Sequence, residues 1–176
     1  MSIQTVLDGI CRYFGGPYDE ATRTYRSSPI AGVGVVRRAW AKRDDHADYF
    51  RGQSPGARTG CQIVVWIPRH WEIREALGGP YSGMKRVGYD VELACYIRSR
   101  VPHAEDAQDD VYALRDALVE RLRLDRTLGG AVFQAGEHIE DGQSNIVFEY
   151  GQPESTAELT KGFLLMSFGA VEYVMA

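Results

Sequence analysis

The chain has 176 residues, 44% apolar and 25% charged, which fits one ordinary globular domain with a core of its own and excludes a low-complexity or disordered chain. Its net charge is only −4, yet residues 1–100 carry 15 Lys/Arg against 10 Asp/Glu while residues 101–176 carry 5 against 14. That division argues against a strong DNA-binding domain, which is basic overall, and it fits two surfaces of opposite sign suited to head-to-tail self-association as well as it fits ordinary solvated faces.

Ile3, Val6, Leu7, Ile10 and Phe14 recur at helical spacing behind a Ser2 cap, so the spacing predicts a first amphipathic helix that Gly15-Gly16-Pro17 ends. A polar link leads to Ile30–Lys42, β-branched but broken by glycines, which reads as a bent or edge strand. From about Lys42 to Gly60 the chain shows no period and is rich in turn formers, so a long loop is expected. The segment "CQIVVWIP" is apolar on both faces, as a central strand would be, and Arg69–Leu77 is compatible with a short helix before the turn "GGPYSGM". Then Val87, Tyr89, Val91, Leu93, Cys95 and Ile97 alternate without a miss against polar or small partners, a strand with one face in the core.

Beyond Pro102, Ala107, Val111, Leu114, Leu118 and Leu122 mark a second main helix, acidic at its start and basic at its end, which complements the helix dipole at both ends. Gly129-Gly130 follows this helix, where unpaired carbonyls would repel an anion, so the pair reads as a helix stop and not as a phosphate loop. "AVFQAGEHIE", "SNIVFEYG" and "GFLLMSFGAVEYVM" complete the chain as three strands, the first two joined by a turn at Asp141–Gln143. The expected fold is therefore α+β: one domain over residues 1–176, with a mostly antiparallel sheet of about six strands and two main helices packed on one face.

Chemistry is sought and not found in the sequence. His46, His70, His103 and His138 lie in separate segments, and His138-Ile139-Glu140 lacks the P-C-x-x-C half that a zinc deaminase needs. "GPYSG" is not a nucleophile elbow, and "GVGVV" has no helix after it to make a dinucleotide fingerprint. Cys11, Cys61 and Cys95 form no C-x-x-C pair and read as buried thiols of a reducing compartment. Asp90 and Glu92 share one strand face, where a polar surface or pore lining explains them better than catalysis. The sequence thus predicts no catalytic residues, no cofactor and no metal site, and the run Phe163–Val171 is too short for a bilayer span.

The stretch "GYDVELACYI", the segment Asp109–Glu137 with its "D-x-T-L-G-G-x-V" ending, the strand pair and the C-terminal apolar strand together resemble the tail terminator proteins of long-tailed bacteriophages, over about Gly88 to the C-terminus. The resemblance implies an α+β subunit without catalytic residues that forms a homo-hexameric ring in the tail-neck region of the virion. Such a ring caps the tube of major tail protein and joins it to the head-tail connector or stopper protein, and DNA only passes through its lumen. Asp90 and Glu92 are then expected to face a neutral or negative lumen. Tyr49, Phe50 and Arg51, in the segment Lys42–Gly60, are expected in a docking loop that is mobile in the isolated subunit and ordered in the tail. Two other classes stay open: another head-tail joining protein, such as a head completion or stopper protein, and a small-molecule-binding or enzymatic α+β domain.

Overall fold

A computed structural model describes residues 2–38, 45–75, 83–100, 103–136, 146–156 and 158–175. Helix α1 spans Ile3–Gly15, and the Ser2 hydroxyl caps it by accepting from the Thr5 N–H at 3.2 Å. Its Val6, Ile10, Cys11 and Phe14 are buried, and the helix stops where Gly16 takes a φ of 79° ahead of Pro17. Strands β1 (Tyr18–Asp19), β2 (Thr24–Tyr25) and β3 (Val33–Arg38) follow, then the short helix α2 (His46–Tyr49), β4 (Thr59–Arg74), β5 (Met84–Ser99) and α3 (Ala104–Leu124). Strands β6 (Gln134–Gly136), β7 (Val147–Tyr150), β8 (Glu154–Ser155) and β9 (Thr160–Met175) close the order.

The sheet runs β1-β2-β3-β4-β5-β9-β6, with β7 and β8 also paired to β9. All described pairs are antiparallel except β3 with β4. Three strands of sixteen residues each, β4, β5 and β9, form its spine. Helix α1 lies over β2, β3 and β4, and α3 lies over β9 and β6. Between helices and sheet sits one continuous core that joins Phe14, Ile63, Leu93, Leu118, Leu164 and Met166. The two helices are tied together by a reciprocal contact. The Tyr13 hydroxyl donates to the Arg121 carbonyl at 2.7 Å, Arg121 returns a bond to the Tyr13 carbonyl at 3.1 Å, and its guanidinium lies 4.0 Å from the Tyr13 ring centroid.

The α+β class and the helix-covered face agree with expectation, but several elements do not. Among the described residues there are nine strands and three helices, because β1, β2, β8 and α2 are too short to leave a periodic signature. The helix expected at Arg69–Leu77 is strand as far as Arg74, with residues 76 and 77 outside the described set. The register of β4 on β5 shifts between Trp66 and Arg69, where Pro68 has no N–H to give the ladder, and then resumes as far as Arg74 opposite Lys85. The strand expected at Ile30–Lys42 is no edge: β3 lies between β2 and β4, bent by a bulge at Val33/Val35. Strands β6 and β7 both pair with β9, so the hairpin expected between them is not made among the described residues, and its turn at Asp141–Gln143 lies outside them.

The helix stop is also displaced. Helix α3 ends at Leu124, capped by Asp125 in an extended conformation, so Gly129 and Gly130 are not the residues that terminate it. Asp125 does the local work. Its carboxylate accepts from the Thr127 N–H and hydroxyl, at 2.9 and 2.7 Å, and from the Gly129 N–H at 2.9 Å. The turn so built puts Leu128, itself at a φ of 52°, into the core, and Gly129 and Gly130 at 71° and 82° continue the left-handed path.

Candidate functional site

Asp90 and Glu92 lie where alternation puts them, on the sheet face opposite α1 and α3, since their neighbours Tyr89, Val91 and Leu93 fill the core. Each is engaged from β4. Asp90 takes an ion pair from Arg69 Nε at 2.8 Å, and Glu92 accepts from the indole Nε1 of Trp66 at 2.7 Å. The face is not uniformly acidic, because register brings Arg69, Arg98 and Lys161 onto it as well. Along this face Tyr96 is 42% exposed and stacks on Phe163 with ring centroids 5.3 Å apart. At the far end of the three long strands Ile73, Met84, Phe133, Tyr173 and Met175 are all exposed. There the Trp71 ring lies across Gly88, so close that a Cβ at Gly88 would meet it at 2.2 Å, and Arg86 lies 5.5 Å from its centroid.

Residues 45–60, part of the segment expected to be a mobile docking loop, are folded onto this second face, and residues 42–44 lie outside the described set. A Cβ at Gly60 would sit 2.4 Å from the Tyr49 carbonyl oxygen, which shows how closely backbone packs on backbone here. Tyr49 is only 5% exposed, beneath the Arg98 guanidinium at 4.3 Å, so it is a packed residue rather than a solvated one. Phe50 is half-buried, 4.2 Å from the Arg100 guanidinium and 5.0 Å from the His46 ring. Arg51 reaches back to Asp48 Oδ1 at 3.3 Å. The segment thus has internal packing that its composition conceals: the carboxylate of Asp48, 6% exposed, draws Arg37, Arg51 and Arg26 to one point.

Around that point is a site that sequence reasoning passed over. A pocket of about 460 Å³ is lined by Arg23, Arg26, Arg37, Arg38 and Arg51, with Asp45 and Asp48. Arg26 also meets Asp19 at 3.1 Å, and Arg38 meets Asp8 of α1 at 2.9 Å. The Asp19 carboxyl is held below the ordinary range, first by the Thr22 hydroxyl and then by the Ala21 N–H and Arg26. The only hint in the sequence is the positive balance of residues 1–100, because the arginines come from three separate segments. A second depression, of about 790 Å³, runs between α3 and β7. Val119, Leu124, Ile146 and Phe148 line it, and Arg115 and Glu120 stand on its rim.

Other titratable groups serve the interior. The Tyr89 hydroxyl donates to Glu172 at 3.2 Å within the core, and burial, then the Glu172 charge, pushes its pKa up to about 12. Cys11, Cys61 and Cys95 are all buried and unbridged, and burial raises the Cys11 thiol far above its ordinary value. Among the described residues no group of three or more His, Cys, Asp and Glu side chains is placed to hold a metal ion, and no described helix is long and apolar enough to cross a membrane. His138 and Glu140 lie outside the described residues. No protein-family model matches the chain, and no curated protein is significantly similar to it.

Proposed function

We propose that the chain is the ring-forming terminator subunit of a long-tailed phage, which caps the tail tube and joins it to the head connector. The observation that carries the reading is the exposed apolar end of the open sheet face. Ile73, Met84, Tyr173 and Met175 stand exposed together at one end of the three long strands, with Phe133 against Tyr173, an apolar patch of the kind that subunits cover in assembly. The α+β fold with a long antiparallel spine fits the resemblance in the second half of the chain. Asp90 and Glu92, on the same face beyond that end, would then border the lumen, where a surface that their carboxylates and Arg69 leave near neutral keeps passing DNA from sticking, since tight binding needs an excess of Lys and Arg over the phosphates they neutralise.

Native mass spectrometry of the purified chain, with electron microscopy of the same sample, tests this. Closed rings of six subunits that block further growth of tail tubes are the expected result, and a monomer up to high concentration would refute it. An electrophoretic shift assay at low salt adds a second check. Tight, steeply salt-dependent duplex binding would contradict a passive conduit.

A further inference from the structure

Among the described residues the arginine pocket is short of carboxylate acceptors. Its lining holds five arginines and two aspartates, and Asp8 and Asp19 contribute from outside it, each to a single arginine. Asp45 spends its carboxylate on the Ala47 N–H at the start of α2. An arginine offers five N–H donors, so four carboxylates satisfy only part of this set. Arg23 makes no ion pair among the described residues although its side chain lines the pocket, and the Nε atoms of Arg26 and Arg37 are buried without a hydrogen-bond partner. Arg51 has one carboxylate, and shares it with Arg26 and Arg37.

The same chain carries the complementary surplus. At the start of α3, Glu105, Asp106 and Asp109 are exposed, and Glu105 and Asp109 are one turn apart with no ion pair among the described residues. Among the described residues Asp106 has only the distant Arg58, at 3.9 Å. Among the described residues no ion pair links the two groups within one subunit: Asp110 is bonded to Thr59 and Asp106 faces Arg58, whereas Arg26, Arg37 and Arg51 converge on Asp48.

We infer that the pocket lined by Arg23, Arg26 and Arg51 is a carboxylate socket, and that its occupant is the acidic start of α3 from a second copy of this chain. The contact is heterologous: socket and plug are different surfaces, so each copy offers one of each, and repetition excludes a two-fold dimer and builds a ring where its rotation closes. This rests on the ring reading above and names the contact through which such a ring would close. The carboxylates supply the acceptors that the guanidinium groups lack, and they set the register between neighbours.

The test is a charge swap in the full-length chain, read by analytical ultracentrifugation and native mass spectrometry. The socket variant is Arg23→Glu with Arg51→Glu, and the plug variant is Glu105→Arg with Asp109→Arg. Arg23→Glu alone keeps every ion pair of Asp48, so it tests the socket even if the double variant folds poorly. Each reversal is expected to weaken association about ten-fold or more, and the combined four-fold swap is expected to restore it to within about three-fold of wild type. Equimolar mixing of the two variants should likewise restore assembly, and wild-type association should weaken as salt rises. Rings that form with undiminished affinity in both variants would overturn the socket and leave the ring reading standing. A wild type that remains monomeric would overturn both. Loss of low-salt duplex binding in the socket variant, with association unchanged, would make the pocket a phosphate site and also overturn the inference.

Discussion

The two faces of the sheet are built from the same strands and have opposite fates. On the helix side, Tyr89, Val91, Leu93, Cys95 and Ile97 of β5 are buried under α1 and α3, and one core runs from Phe14 to Met166. On the other side, the intervening residues Asp90, Glu92, Tyr96 and Arg98 meet only what β4 and β9 bring beside them, with α2 covering one end. A single pleat therefore separates what holds the subunit together from what it can offer to others. Stability should follow the first face, and the apolar part of association the second.

The strongest way to break that division is from inside. Leu93→Ala removes a fully buried side chain at the centre of the spine and should cost about 3 kcal/mol or more, read from urea unfolding. Asp48→Ala leaves Arg37 and Arg51 without their shared carboxylate at the covered end of the other face, and should cost about 3 kcal/mol and speed proteolysis within residues 45–60. Gly88→Val pushes a side chain into the Trp71 ring at the open end. It should cost about 1–2 kcal/mol and shift tryptophan emission to longer wavelength as the ring is displaced.

Asp125→Ala, in the turn after α3, should cost about 1 kcal/mol, as losing a capping carboxylate does. Its pH dependence has a definite sign. Bonds from Thr127, and then from the Gly129 N–H, hold the Asp125 carboxyl below its ordinary value. The contribution is therefore present at neutral pH and is lost as pH falls below about 4, and unfolding curves of the variant should converge on wild type there. The smallest effect on stability sharpens the comparison most. Tyr96→Ser, on the open face, should change unfolding by less than about 0.5 kcal/mol and yet weaken association in sedimentation experiments.

What was legible in the sequence follows the same physics. The alternation over Val87–Ile97 and the 3.6-residue spacing of Ala107–Leu122 each repeat many times against a single core, so β5 and α3 could be read directly. Arg69–Arg74 could not, because in "RHWEIR" only Trp71 and Ile73 alternate with polar residues, too short a pattern to outweigh a helical reading. It is a strand because β5 reaches that far and supplies the partner, with Lys85 beside Glu72 and Asp90 beside Arg69. Asp48 read as a loop residue because its three arginines come from residues 26, 37 and 51, which only the fold brings together. For the candidate site the outcome was divided in the same way. The face of Asp90 and Glu92 was visible, whereas the arginine pocket and the covered position of Tyr49 depend on contacts that no local pattern records.

Strand β9 pairs with β5 along all sixteen residues on one side and with β6, β7 and β8 in turn on the other. It follows all of those partners along the chain. During synthesis from the N-terminus, β4 and β5 leave the ribosome with a long ladder edge open, and α3 has little beneath it until Thr160–Met175 arrives. Closing the sheet joins Met84 to Met175 and Ser99 to Thr160, contacts of large sequence separation that make folding slow. The nascent chain thus carries an unprotected strand edge for the time taken to translate some sixty residues, about three to twelve seconds at ordinary elongation rates. In that interval a chaperone has something to hold, and crowding of nascent chains carries a risk of aggregation that the finished sheet does not.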